Sequence, residues 1–97
     1  MRTIIYPGTF DPIHRGHIDI AERASALFDK VVFAIAVNSE KSSLFTAEER
    51  IDLVLGATKH LTNIKAFSID GLVADFARDQ KAVALIRGLR HVSDFEF

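Results

Sequence analysis

The chain has 97 residues and a formal net charge of −1, with 48% hydrophobic residues, 26% charged residues and no cysteine. This composition fits one small globular domain, and it excludes disulfide or thiolate chemistry and a global electrostatic attraction to nucleic acid or an anionic membrane. No apolar run approaches the roughly 18 residues that span a bilayer, so we expect a cytoplasmic protein with neither a nucleic-acid nor a membrane partner.

The first half of the chain alternates between patterns typical of strands and helices. The apolar run over residues 2–6 predicts a first strand, and apolar residues at helical spacing predict a helix over residues 16–28. The continuous apolar and β-branched run over residues 30–37 predicts a second strand covered on both faces. The polar residues 38–45 that follow predict a loop.

The second half continues this alternation. The capping-box sequence at residues 46–49 predicts the start of a second helix. Residues 64–69 predict a third strand, apolar residues between 72 and 77 a third helix, and residues 82–86 a fourth strand. The last residues, 93–97, are interpreted as the interrupted start of another helix.

The order βαβαβαβ predicts an α/β fold, a Rossmann-like parallel sheet built from βαβ units with right-handed crossovers. We expect residues 1–97 to form a single domain. Because the sequence stops among aromatic and acidic residues without a polar tail, we also expect it to be the N-terminal part of a longer domain whose C-terminal remainder is missing.

The residues with functional chemistry follow the predicted strands. In an open parallel sheet, ligands bind beyond the carboxyl ends of the strands, so these residues are expected to meet at one edge. They are Gly8, Thr9, Phe10, His14 and His17 after the first strand, Lys41 after the second, Asp70 and Gly71 after the third, and Arg87, Gly88 and Arg90 after the fourth. Positive side chains and backbone N–H groups at this edge predict a site for the phosphates of a nucleotide.

The two histidines of the first loop have different interpretations. His17 lies at the predicted helix start, where its imidazole and the free helix N–H groups would face a phosphate. His14 paired with His17 suggests a metal, but no third ligand follows at a usual spacing, so no metal site is predicted. Asp11 before Pro12 is more typical of a turn or a cap than of a ligand, and His60 is given no role.

The cations of the later loops also leave alternatives open. Lys41, alone, would be a solvated surface lysine. Arg87 ends a predicted buried strand and therefore needs an anionic partner, either a carboxylate such as Asp70 or a bound phosphate, which we favour.

These residues suit nucleotidyl transfer. A phosphate nucleophile is already ionised at neutral pH, so neither a general base nor a covalent intermediate is needed. The catalytic contribution would be positioning and neutralisation of the charge that grows on the transferred phosphoryl group and the leaving pyrophosphate. Mg²⁺ would be held mostly by the triphosphate and by water.

Three segments of the chain together resemble the bacterial phosphopantetheine adenylyltransferases, which belong to the T/H-x-G-H nucleotidyltransferase superfamily. The segments are YPGTFDPIHRGH at residues 6–17, FTAEER at residues 45–50, and LIRGLR at residues 85–90 followed by Asp94 and Glu96. This family makes dephospho-coenzyme A and pyrophosphate from ATP and 4′-phosphopantetheine. The resemblance covers all 97 residues.

The resemblance implies a role for each matching residue. His17 would be the catalytic residue that stabilises the transition state. The acceptor would be bound by Thr9, Lys41, Val73 and Arg87, and ATP by Thr9, Phe10, His17, Gly88, Leu89 and Arg90. Val73 could equally be a core residue of the third helix. The resemblance also implies Mg²⁺ carried with ATP, coenzyme A as a feedback ligand, and a homohexamer.

Two alternatives stay open at this point. The chain could be a related nucleotidyltransferase with another phosphate acceptor, since the first loop would look alike. It could also be a catalytically inactive binding or structural fragment, because the family's Ser-rich triphosphate loop lies beyond these 97 residues.

Overall fold

The computed structural model describes residues 1–37 and 43–87, together with the backbone of residues 95–96. Within these ranges the chain forms strands and helices in strict alternation up to the fourth strand. The elements are β1 (Thr3–Gly8), α1 (Arg15–Leu27), β2 (Lys30–Ala36), α2 (Ala47–Ala57), β3 (Ile64–Ile69), α3 (Val73–Asp79), β4 (Ala84–Ile86) and β5 (Phe95–Glu96). The predicted α/β fold is therefore confirmed, and the helix and strand limits differ from the predicted ones by up to two residues.

The strands form one sheet in the order β3-β2-β1-β4-β5. β1 to β4 are mutually parallel, as the sequence predicts, with β1 in register with β2 on one side and β4 on the other. The chain fills one side of β1 with β2 and β3, then crosses over to place β4 on the other side. This reversal of direction is a topological switch point, where α/β sheets form their ligand-binding crevice.

The C-terminal residues contradict the expected helix start. Phe95 and Glu96 form β5, which pairs antiparallel with β4 through Leu85↔Glu96 and Ile86↔Phe95. The sequence Phe-Glu-Phe alternates with the period of a strand, and the open edge of β4 offers it backbone hydrogen-bond partners. Pairing with the edge of β4, which is distant in sequence, makes residues 95–96 a strand and not a helix.

β1 is longer than predicted because it continues through Pro7 and Gly8. Proline has no N–H to give to a ladder and is tolerated where a strand lacks a neighbour on one side. β4 pairs with β1 only at Ile4 and Ile5, so Pro7 lies beyond the end of this pairing and faces β2 alone.

The sheet is buried on both faces at β1 and β2. β2 lies between β3 and β1, and its residues Val31–Ile35 are all 0% exposed, as the continuous apolar run predicts. One face packs against α1 and α2, through residues such as Ala24 and Val54, and the other packs against α3 through Phe76 and Ala77. In the part of the chain described, no helix has both the length and the apolarity to cross a membrane.

Candidate functional site

The loop from β1 to α1, residues 9–14, lies at the switch point and is built around Phe10. This residue is 2% exposed and has a φ of 48°, in the left-handed region that aromatic residues rarely adopt. Its ring makes edge contacts with Tyr6, Phe33 and His17, at centroid distances of 5.1, 5.0 and 4.8 Å. The left-handed backbone costs about 1–2 kcal/mol, and burial of the ring contributes roughly 1.5–3 kcal/mol, which offsets the strain.

Gly8 makes room for this ring. A Cβ at position 8 would lie 3.0 Å from Cε2 and 3.1 Å from Cζ of Phe10. Because Phe10 is enclosed by other rings, it has little freedom to move aside. The sequence placed Gly8 among the residues expected at the ligand-binding edge, and the structure adds packing beneath the loop as a reason for glycine.

Two histidines, His14 and His17, cap the start of α1. His14 is the N-cap residue, and its Nδ1 accepts the N–H of Gly16 at 3.1 Å. His17 is three residues further on, and its Nδ1 accepts the N–H of His14 at 3.0 Å. The two rings are stacked, with centroids 3.7 Å apart. The arrangement is a capping box made from imidazoles.

This geometry fixes which nitrogen carries the proton in each ring. An imidazole nitrogen that accepts a hydrogen bond is unprotonated, so each neutral ring carries its proton on Nε2. The Nε2–H groups are donors that the cap does not use. A Cβ at Gly16 would lie 3.0 Å from Cε1 of His14, so the glycine of the H-x-G-H sequence leaves space for the capping ring.

His17 is neutral at physiological pH. Burial of its ring, and secondarily repulsion from His14, lower the pKa of His17 from 6.5 to about 4. The ring is half-buried beside Tyr6 and Phe10. His17 therefore provides a directed hydrogen-bond donor, where the sequence suggested a positive charge.

Asp11 ties the β1–α1 loop to the segment that precedes α2. Its carboxylate accepts the N–H groups of Leu44 and Phe45 at 2.7 and 2.9 Å. The sequence interpretation of Asp11 as a turn or cap residue therefore missed its partners, which lie more than 30 positions further along the chain. Ionised acceptors make stronger hydrogen bonds than neutral ones, so Asp11 holds two loops of the same sheet edge together.

Arg50 is a buried cation that the sequence interpretation left without a role. It is 2% exposed, and its Nη1 donates to the carbonyls of Thr9 and Ala36 at 3.0 and 3.2 Å, while Nε donates to that of Thr46 at 3.4 Å. The signal was present in the sequence, because Arg50 is four residues before the core residue Val54 on the same helix face. An arginine on a buried face must find acceptors inside the protein.

The other predicted residues are placed as follows. Thr9 is exposed at the carboxyl end of β1, and Arg87 is exposed directly after β4, the neighbouring parallel strand. The structure thus brings both to the edge where Phe10 and His17 lie. Val73 is the first residue of α3 and is half-buried. Four predicted residues lie outside the described part of the chain, namely Lys41, Gly88, Leu89 and Arg90.

Asp70 is poorly placed to be the anionic partner of Arg87. It follows β3, which is separated from β4 by β2 and β1. Three strand spacings amount to about 14 Å, more than the two side chains can bridge. His60 lies elsewhere and pairs with Glu22, at 2.7 Å from Nε2 to the carboxylate. Among the described residues, no group of three or more His, Cys, Asp or Glu could hold a metal ion.

Comparison with known proteins agrees with this geometry. The family model described as cytidylyltransferase-like matches residues 5–97. The crystal structure of the lipopolysaccharide core biosynthesis protein from Thermoplasma volcanium GSS1 is similar, with a TM-score of 0.74 and 22% sequence identity, over 97% of this chain and 80% of that chain. At this identity, the structural likeness shows the shared fold alone.

Proposed function

From the premise that the chain belongs to the cytidylyltransferase-like family, we propose that it transfers the adenylyl group of ATP to 4′-phosphopantetheine, giving dephospho-coenzyme A and pyrophosphate. Membership of that family supports nucleotidyl transfer in general. The observation that carries the proposal is the pair of capping histidines. It leaves the Nε2–H of His17 unused by the cap, in a ring that packs on Phe10 of the loop at the switch point. The specific donor and acceptor come from the resemblance of residues 6–17, 45–50 and 85–90 to the phosphopantetheine adenylyltransferases.

In the proposed reaction, a phosphate oxygen of the acceptor attacks the α-phosphorus of ATP. A new P–O bond forms, the bond from the α-phosphorus to the bridging oxygen breaks, and pyrophosphate leaves with that electron pair. No proton has to move, because the nucleophile is already ionised. The chain has to align the two anions and hold donors where charge grows, which is the largest contribution in many enzymes.

His17 is the residue we assign to the transferred phosphoryl group. A neutral ring with its proton on Nε2 keeps the donor over the whole physiological pH range, since its pKa of about 4 lies well below it. Thr9 and Phe10 on the same loop are assigned to the substrates near this group. Mg²⁺ is proposed to enter as part of the ATP substrate, held by triphosphate oxygens and water.

The remaining assignments follow the resemblance. Arg87 and Lys41 are proposed to hold the phosphate of the acceptor and Val73 to line its pantetheine arm, while Gly88, Leu89 and Arg90 are proposed to bind ATP. We also propose coenzyme A as a feedback ligand, a homohexameric assembly and a cytoplasmic location.

The test is release of pyrophosphate by the purified chain with ATP and 4′-phosphopantetheine. We expect His17→Ala to lower kcat by roughly 10²–10⁴-fold with a smaller change in KM, because the lost donor acts mainly in the transition state. His60→Ala is the matched control, since that histidine is exposed and pairs with the exposed Glu22. Unchanged turnover in His17→Ala would remove His17 from the mechanism.

The same assay examines the acceptor site. We expect Arg87→Ala to raise the KM for 4′-phosphopantetheine more than the KM for ATP, because the resemblance assigns Arg87, directly after β4, to the acceptor phosphate. Equal loss for both substrates would indicate a role in folding. Binding of ATP or 4′-phosphopantetheine by calorimetry, without turnover, would favour a binding module.

A second candidate is transfer of a cytidylyl group from CTP to a different phosphate acceptor. The description of the matching family as cytidylyltransferase-like favours it. Pyrophosphate release with CTP and not with ATP would support this candidate. Nicotinate mononucleotide should be included among the acceptors, because related nucleotidyltransferases share the first loop.

A further inference from the structure

Arg50 is the buried charge that the proposed reaction does not yet use. Its guanidinium contacts backbone carbonyls from three different segments, at Thr9, Ala36 and Thr46. Burying a cation is costly unless its donors are satisfied. An apolar residue of similar volume would fill a simple core position more favourably. Packing alone therefore does not explain why position 50 is an arginine.

The contact with Thr9 determines the orientation of one peptide unit. The peptide bond between Thr9 and Phe10 is trans, since the described cis bond is between Asp11 and Pro12. In a trans peptide the C=O and N–H point in opposite directions. Because the carbonyl of Thr9 faces Arg50 at 3.0 Å, the N–H of Phe10 faces away from Arg50.

That N–H has no acceptor within the described residues, although Phe10 is only 2% exposed. Buried backbone N–H groups are nearly always hydrogen-bonded in folded proteins. The positive φ of Phe10, held by its ring contacts, keeps the N–H in this unpaired orientation. A donor without a partner among the described residues, in a residue whose ring contacts that of His17 at 4.8 Å, suits an anionic ligand.

We propose that Arg50 is a positioning residue for nucleotide binding: by holding the carbonyl of Thr9, it directs the N–H of Phe10 toward a phosphate oxygen of the nucleotide. This inference rests on the proposed nucleotidyl transfer and adds a residue to it. Arg50 does not touch the substrate. It acts through the peptide between Thr9 and Phe10, the two loop residues that the resemblance assigns to ATP.

The test compares Arg50→Met, which removes every donor, with Arg50→Lys, which keeps the charge and a donor. Arg23→Met is the matched control, because Arg23 is exposed on α1 and pairs with the exposed Asp19. Each variant is assayed at a temperature at which circular dichroism shows it to be folded. A purely structural role would then leave the activity per folded molecule unchanged.

We expect Arg50→Met to lower kcat/KM for the nucleotide by roughly 10–100-fold, somewhat less than loss of a whole oxyanion donor. Arg50→Lys should recover only part of this loss, and Arg23→Met should behave as the wild type. Folded Arg50→Met with wild-type kcat/KM would overturn the proposal.

A second measurement covers the case in which Arg50→Met does not fold. The ¹⁵N-labelled wild-type chain is titrated with pyrophosphate and followed through its backbone amide signals. The Phe10 amide should move among the most in the wild type and markedly less in Arg50→Lys. A Phe10 amide that stays still while the His17 ring signals move would refute the proposal. Absence of pyrophosphate release with every donor and acceptor would instead count against the proposed function, because the titration does not depend on turnover.

Discussion

The low pKa of His17 gives a quantitative test of the candidate site. The ring has a pKa of about 4 in the folded chain, against 6.5 for an unperturbed histidine, mainly because it is buried and secondarily because His14 is close. The folded state therefore binds a proton at His17 less readily than the unfolded state does. The stability that comes from the neutral ring is fully present above pH 6.5 and is lost as the pH falls through about 4.

The size of this loss follows from the two pKa values. At 1.36 kcal/mol per pKa unit the difference between them corresponds to roughly 3 kcal/mol. The ring is only half-buried, so solvent screening reduces the expected loss to about 1–2 kcal/mol. Urea unfolding curves at neutral and at acidic pH, compared between the wild type and His17→Gln, isolate this part from the titration of carboxylates.

NMR titration of the ring Cε1–H signals across about pH 3 to 8 measures the pKa itself. Phe10→Ala should raise the pKa of His17 toward 6.5, because it opens the ring to water. Bound pyrophosphate should raise it too, since an anion stabilises the protonated ring. His60→Gln is the control and should leave the pKa of His17 unchanged. A pKa at or above 6.5 in the ligand-free wild type would refute the account of the site.

Three substitutions test the loop contacts. Gly16→Ala brings a Cβ within 3.0 Å of Cε1 of His14 and should therefore reduce turnover. Calorimetry should show a fall in the free energy of unfolding of less than about 1 kcal/mol, because the higher helix propensity of alanine offsets part of the damage to the cap. Gly56→Ala, whose Cβ meets nothing within 4 Å, is its control and should stabilise α2 by about 0.5–1 kcal/mol. Gly8→Ala should cost about 1–3 kcal/mol in urea by overpacking the buried ring beside it; an unchanged midpoint would contradict that packing. Asp11→Asn should cost about 1 kcal/mol, since a neutral amide accepts the two N–H groups less strongly than a carboxylate, and equal unfolding midpoints would argue against the link between the loops.

The sheet could be predicted because its strands carry their own signal. Residues 30–37 are apolar without interruption, which is typical of a parallel strand buried on both faces, and Thr46 and Glu49 form the capping box their spacing predicts. The predicted location of the candidate site rests on the topology, because loops after parallel strands meet at one edge.

The parts that could not be predicted depend on distant partners. The acceptors of Arg50 include Thr9 and Ala36, which are 41 and 14 residues away in sequence. β5 forms because the edge of β4 is available, and two residues of local sequence do not determine that choice. The pKa of His17 also reflects a packed neighbourhood, which a single histidine in a sequence does not reveal.

The imidazole capping box links folding to ligand recognition, because the two nitrogens of each ring have different roles. In both His14 and His17, Nδ1 accepts a hydrogen bond at the first turn of α1, and Nε2 carries a hydrogen that the cap does not use. A rotation of either ring by 180° would break its hydrogen bond at the start of the helix and would also displace its Nε2 hydrogen. Forming the helix therefore prepares these hydrogens for a ligand in advance, without a separate step of reorganisation.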